Sequence, residues 1–179
     1  IRAPLGLLRI PMLSELHEML SYADWSLISM PGTITELEKL CASEKKEFDV
    51  LLMTDVGDLR EGIWPDRIGE MADLFRKCRW IRCIGVGTNF GCFGGVMPSK
   101  ENLKMLVDIS SELQRALGNN KWLISGGGTN LFYEMLNSDI TPPEINHLRI
   151  GGALLRGRCG TNVIEGLRQD AFVLTAEYV

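Results

Sequence analysis

The chain of 179 residues is short of the features that mark several large classes of protein. Long hydrophobic runs are missing: an apolar stretch such as Leu5–Leu8 falls far below the roughly 20 residues that a membrane-crossing helix needs. No basic-then-apolar leader opens the chain, so secretion has no support. Histidine is scarce, with only His17 and His147, and the five cysteines (Cys41, Cys78, Cys83, Cys92 and Cys159) include no CxxC pair. A disulfide framework, a structural zinc site or any other metal site is therefore not expected, and a reducing cytoplasm fits best. An excess of positive charge is also missing. The net charge is -4 with the basic residues scattered, which provides no field to hold a polyanion, so nucleic acid is not expected as a partner; with apolar runs this short, neither is a membrane. The cysteines, Cys92 included, read as structural or incidental. The chain opens on Ile1 and not on Met, which reads as a fragment or a processed product.

What is present is an alternation of short apolar segments with helical periodicity. Hydrophobic residues make up 45% of the chain, enough for one substantial core. Leu5–Met12, Trp25–Ser29, Asp49–Thr54, Trp80–Val86, Lys121–Ser125 and Ile145–Ile150 read as strands. Between them, helices are expected from Ser14, over Thr33–Glu44, Pro65–Arg76, Ser99–Leu117 and Leu131–Leu136. Pro65 suits a first helical turn, Ser99 an N-cap and Gly118 a C-terminal stop. Repeated strand-helix units imply an α/β fold with parallel strands and helical crossovers. About six units are visible where a closed (β/α)₈ TIM-type barrel has eight. The expectation is a barrel covering about strands 3–8, with two strands lying upstream. Residues 1–170 are assigned to this partial barrel. Residues 171–179, where apolar and polar residues alternate from Phe172, are assigned to the start of a following β domain.

Chemistry is expected where the strands end. Four consecutive strands run into glycine-rich polar segments: Asp55–Gly62, Gly85–Gly95, Ser125–Asn130 and Arg149–Gly152. In parallel α/β folds ligands bind at those carboxyl ends. One glycine run alone is an ordinary tight turn, but four at successive strand ends point to a shared site. Glycine lets a backbone approach a ligand, and N–H groups at a following helix start favour an anion. Neither GxxxxGK[ST] nor a strand-GxGxxG-helix fingerprint occurs, so a nucleotide is not the indicated anion. Arg149 interrupts the apolar run Leu148–Ile150, where a guanidinium needs a partner. Taken singly, Arg60 reads as a solvated loop charge and Asn89 as a turn residue. His147 is expected to alternate out of the inner face, and Trp25, Trp64, Trp80 and Trp122 to serve packing.

Several of these segments together resemble the alanine/ornithine racemase family, pyridoxal-phosphate enzymes of the alanine racemase fold type. They are the run Leu8–Glu15, the segment Asp55–Gly62, Gly87–Gly95, Ile145–Gly152 and Gly166–Phe172, in that order over nearly the whole chain. The match is strongest to the ornithine racemase-like branch. The resemblance implies pyridoxal 5′-phosphate as cofactor. It implies that Arg60 approaches the cofactor's phenolic oxygen and that Asn89 stands where alanine racemases carry a histidine near the ring. Thr129, with the backbone N–H groups of Gly151 and Gly152, is implied to bind the phosphate, although relatives often carry Asn-Ser at Gly128-Thr129. Arg149 is implied to face the pyridine nitrogen. Because an arginine keeps its proton, the ring nitrogen then stays unprotonated and is a poorer electron sink, which favours proton transfer over deeper carbanion chemistry.

The family's Schiff-base lysine sits on the first barrel strand, and its opposite-face tyrosine comes from the later β domain. Neither matches a residue here: Lys39, Lys45, Lys46, Lys77, Lys100, Lys104 and Lys121 all fall on helices, at helix edges or before a strand. The expected function is thus a pyridoxal-phosphate-dependent amino-acid racemase acting on ornithine, alanine, lysine or another amino acid. It is expected to be homodimeric, with these 179 residues alone inactive. The alternatives are a pyridoxal-phosphate storage protein on the same barrel, and a phosphate-binding barrel enzyme without this cofactor. The alternating tail speaks against the first and Arg149 against the second.

Overall fold

The computed structural model describes residues 3–91, 95–173 and 175–177. Five parallel strands form one sheet in sequential order: β1 (Gly6–Leu7), β2 (Trp25–Ile28), β3 (Phe48–Met53), β4 (Ile81–Gly87) and β5 (Leu123–Ser125). The crossovers are α1 (Leu16–Tyr22), α2 (Pro31–Glu44), α3 (Ile68–Phe75) and α4 (Lys100–Leu117). Two further helices, α5 (Thr129–Asn137) and α6 (Gly152–Arg156), precede a small antiparallel hairpin of β6 (Arg158–Cys159) and β7 (Asn162–Val163). This is the expected parallel α/β arrangement, an arc of a (β/α)₈ barrel. Beside β5 the chain at His147 bridges in parallel to Ser125 and supplies a sixth position.

Both faces of the sheet are buried, as an all-parallel sheet requires. On the outer face Ile28, Val50, Leu52 and Val86 pack with Ile34, Leu37, Met71, Leu103 and Leu106 of the helices in one cluster. On the inner face Leu27, Leu51 and Met53 form a separate plug with Trp25, Ile10 and Leu123 against it. The period-2 alternation of β3 therefore divides one apolar run between two cores. Gly87 keeps the plug shallow, because a Cβ there would come within 3.1 Å of Leu51, Met53 and Ser125 side chains.

Local signals set the element ends. Ser99 and Asn102 form a reciprocal cap, with Ser99 N–H donating to the Asn102 side chain at 2.8 Å and Asn102 N–H to Ser99 Oγ at 3.3 Å. Gly118 then stops α4 at φ +68°. Helix α2 starts two residues earlier than expected because Pro31 takes its first turn. Pro65–Arg67 forms a 3-10 turn before α3 in place of one long helix.

Two expectations are corrected. The strand expected over Leu5–Met12 shrinks to Gly6–Leu7: Arg9 turns aside to pair with Glu15 at 2.5 Å, and Pro11 has no N–H for a ladder. Ile145–Ile150 forms no regular strand. The Asn146 side chain takes the place of a backbone partner there, accepting from Ile124 N–H at 2.9 Å and donating to the Trp122 carbonyl at 3.0 Å. Residues 171–173 and 175–177 form no ladder, while Leu174, Tyr178 and Val179 lie outside the described residues, as do Ile1 and Cys92.

One side chain fixes the start of β4. The Glu38 carboxylate on α2 accepts from the backbone N–H groups of Arg79 (2.8 Å), Trp80 (3.1 Å) and Ile81 (2.9 Å). Hydrogen bonds to a charged acceptor contribute about 1.5–3 kcal/mol, and loss of the acceptor orphans several donors together. Glu38→Ala is expected to destabilise the protein by about 2–4 kcal/mol. Chemical denaturation measures this, and a loss within the ±0.5 kcal/mol typical of surface substitutions would contradict the role.

Candidate functional site

The carboxyl ends of the strands open into a cavity of about 450 Å³, and all six residues singled out from the sequence line it: Arg60, Asn89, Thr129, Arg149, Gly151 and Gly152. Each arrives on a different support. Arg60 comes from the loop after β3, which leaves and re-enters the structure at one point. Asp55 N–H donates to the Ile63 carbonyl and Ile63 N–H to that of Met53, both at 2.9 Å. Inside the loop the buried Asp55 carboxylate accepts from Gly57 N–H at 2.8 Å and Arg60 N–H at 3.1 Å. Gly62 is required at the closure: its φ is +126°, and a Cβ would meet the Thr54 carbonyl carbon at 2.5 Å. The loop thereby presents Arg60 and Glu61 to the cavity.

Asn89 follows β4 and Arg149 follows the bridge at His147. Their side chains meet: Arg149 Nη1 donates to Asn89 Oδ1 at 3.1 Å, Nε to Ser125 Oγ at 3.1 Å, and Nη2 to the Thr88 carbonyl. Asn89 Nδ2 in turn donates to Glu61 Oε1 at 2.5 Å. Glu61 therefore sets which way the Asn89 amide faces, and that amide helps aim the guanidinium. This answers the partner that an arginine within an apolar run demands.

His147 corrects a further expectation. Two residues from Arg149, it shares that residue's face, and its Nδ1 lies 2.9 Å from the same Ser125 Oγ. Its ring meets Trp25 edge-on at 6.0 Å between centroids, and it does not line the cavity. Burial, and then the Arg149 charge, hold its pKa below the usual 6.5.

Thr129 opens α5, and its Oγ1 accepts from Ala153 N–H at 3.2 Å, which ties α5 to α6 beside Gly151 and Gly152. The glycine run before it is needed for packing. A Cβ on Gly126 would meet Leu131 at 2.4 Å, one on Gly128 the Arg149 carbonyl at 2.8 Å, and Gly127 has φ +101°. Gly151 has nothing within 4 Å of its Cβ position, so the space that a side chain would fill there is open. The cavity also gains Glu61, Asn130, Arg156 and Arg158, which sequence reasoning did not single out. The available signal was position: Glu61 follows Arg60, and the two arginines flank Gly157 just beyond the Gly151-Gly152 turn. Four arginines against one carboxylate make the cavity cationic in a chain of net charge -4. No lysine, tyrosine or histidine lines it among the described residues, and nowhere among them do three His, Cys, Asp or Glu side chains group as a metal site would need.

The family model described as the alanine racemase N-terminal domain matches residues 1–158. The chain belongs to this family. A lysine racemase of Thermotoga maritima is 40% identical over all of the chain and half of its own length. An ornithine racemase of Acetoanaerobium sticklandii is 35% identical over 97% of the chain and half of its own length. The chain thus spans about half the length of these relatives. In structure it is similar to an alanine racemase of Clostridium difficile 630 with a TM-score of 0.71 at 16% identity, covering 92% of this chain and 42% of that one. At that identity the likeness speaks for the fold, which is the TIM-type barrel read from the sequence. For this member of the family, the glycine-rich strand ends and the cavity coincide in the structure.

Two outcomes follow. Asp55→Ala is expected to cost about 1–3 kcal/mol and to speed amide exchange across residues 56–61, because two N–H groups lose their acceptor. Unchanged exchange there would show that the loop is held by other contacts. For His147 the depressed pKa means that the unfolded chain binds the proton more readily. Stability present above the unfolded value of about 6.5 is therefore lost as pH falls through the folded pKa. Between about pH 7.5 and 5.5 the wild type should lose more stability than His147→Gln in paired denaturation curves. Equal losses would mean that His147 titrates alike in both states.

Proposed function

We propose that this chain is the cofactor-holding part of a pyridoxal-phosphate-dependent amino-acid racemase. The observation that carries this reading is the convergence of Arg60, Asn89, Thr129, Arg149, Gly151 and Gly152 on one cationic cavity. The donors suit the group. A phosphate monoester carries about -1.5 to -2 charge at pH 7, and the cavity offers Thr129 Oγ1, the open space beside Gly151 and an excess of guanidinium. Arg60 suits an anionic ring oxygen, and Arg149 an unprotonated ring nitrogen.

Pyridoxal phosphate, when bound, supplies an electron sink that acidifies the α-C–H of an amino acid joined to it. The residues of this chain hold and tune. Arg149, fixed by Ser125, Asn89 and the Thr88 carbonyl, presents a donor that does not release its proton, and so limits the sink. Glu61 keeps the Asn89 amide oriented toward it. The loop fastened by Asp55 places Arg60 at the cavity wall. Among the described residues, no lysine, tyrosine or histidine lines the cavity to take or return the α-proton.

The substrate class is a small amino acid. The printed names of the relatives favour a diamino acid, ornithine or lysine, with alanine also open. The protein is read as a cytoplasmic homodimer. No described helix is long and apolar enough to cross a membrane. Residues 1–170 are proposed as the partial barrel and 171–179 as the start of a following β domain. The second reading is a protein that binds the cofactor without turnover, which a cavity lined by no lysine, tyrosine or histidine among the described residues also suits.

Proton exchange in heavy water separates the two. The full-length protein that contains these residues, loaded with pyridoxal phosphate, is expected to erase the α-proton NMR signal of ornithine or lysine while the D form accumulates. A yellow, cofactor-loaded protein that exchanges none of ornithine, lysine and alanine would favour storage. A protein that never takes up the cofactor would sink both.

A further inference from the structure

Arg156 closes α6, and its guanidinium folds back over the first residue of that helix. A Cβ built on Gly152 would lie 3.3 Å from Arg156 Nη2 and 3.4 Å from Thr129 Oγ1. One point therefore sits in contact with both the guanidinium and the hydroxyl, and the glycine leaves that point free. Gly152, Thr129 and Arg156 all line the cavity. Arg158, also on the wall, is engaged: it donates to the Thr161 carbonyl at 3.3 Å and to Gln169 Oε1 at 3.0 Å. Arg156 forms no hydrogen bond or ion pair among the described residues. A guanidinium carries five N–H donors and no acceptor, and its fork matches phosphate oxygens. Held beside an oriented hydroxyl and without a protein acceptor, it is suited to a doubly charged oxyanion.

We infer that Arg156 is a direct phosphate ligand of this site, a binding residue that grips the phosphate monoester of the cofactor together with Thr129. The inference rests on the pyridoxal-phosphate reading above. Under it, affinity depends on the phosphate partly through one side-chain charge and not through neutral donors alone. Charge-assisted contacts of this kind are the stronger class of hydrogen bond, while exposure of the Arg156 side chain to solvent and salt limits its effect.

The test compares two ligands that are themselves amines and so cannot condense with a lysine: pyridoxamine 5′-phosphate and pyridoxamine. Dissociation constants are measured by equilibrium dialysis for the wild type, Arg156→Ala, Arg156→Gln and Arg156→Lys. Arg115→Ala, in the last turn of α4, serves as a charge control. The readout is the affinity ratio of the two ligands, which a merely structural role would leave alone. The ratio should fall about tenfold in Arg156→Ala and Arg156→Gln, fall less in Arg156→Lys, and hold in Arg115→Ala. The salt dependence of pyridoxamine 5′-phosphate binding should flatten in the first two variants. An unchanged ratio in Arg156→Gln, or equal weakening of both ligands in Arg156→Ala and Arg156→Gln, overturns the inference and leaves the cofactor reading standing. A wild type that binds neither ligand overturns both.

Discussion

A guanidinium in a protein does not shed its charge, so once Arg149 is drawn into the cavity wall its neighbours must present acceptors to it. Ser125 at the end of β5, Asn89 beyond β4 and the Thr88 carbonyl do so, from two adjacent strand ends. That demand orders much of the upper rim. It gives a use to the small hydroxyl at Ser125 and to the amide at Asn89, and through the amide it reaches Glu61 on the loop after β3. Burial, and then the same positive group, keep His147 uncharged more readily. A single fixed charge thus couples three segments that are remote in sequence.

Legibility in the sequence followed how local each determinant is. Helix α4 was readable because its cap, its stripe and its terminal glycine all lie within its own residues. Strand β3 was readable because burial on both faces writes itself as a continuous apolar run. The edge strand was overestimated, since apolar residues at Leu8 and Ile10 satisfy a strand pattern while the Arg9–Glu15 pair, a tertiary choice, bends the chain away. The sixth position misled for a similar reason: Asn146 offers a side chain in place of the peptide group, and no period reveals such a substitution. Helix α6 and the hairpin behind it are too short for periodicity to register. At the site, the residues that stand at strand ends were found, while Glu61 and Arg156 were not, because each depends on how a loop or a short helix folds back.

The balance of charge carries a separate lesson. A chain of net charge -4 contains a cavity walled by four arginines and one glutamate. Total charge speaks to solubility and long-range attraction, whereas a site is governed by what lies within a few ångströms. Excluding nucleic acid on the total and accepting a small anion on the local count are compatible. The fold itself is silent on the matter, because barrels of this architecture host many chemistries at the same rim.

The Asn146 amide has a consequence for how such a protein can vary. By gripping the Trp122 carbonyl and the Ile124 N–H it acts as a peg between β5 and the segment that carries Arg149, with only two residues between the peg and the arginine. Whatever happens in the connection from Ser138 to Glu144 ends at that peg. Insertions or deletions there are absorbed before they reach the rim, so the connection is free to diverge in length while the guanidinium stays where it is. The three-residue interval from Asn146 to Arg149 has no such freedom, for losing or gaining one residue would draw the guanidinium away from Ser125, Asn89 and the Thr88 carbonyl.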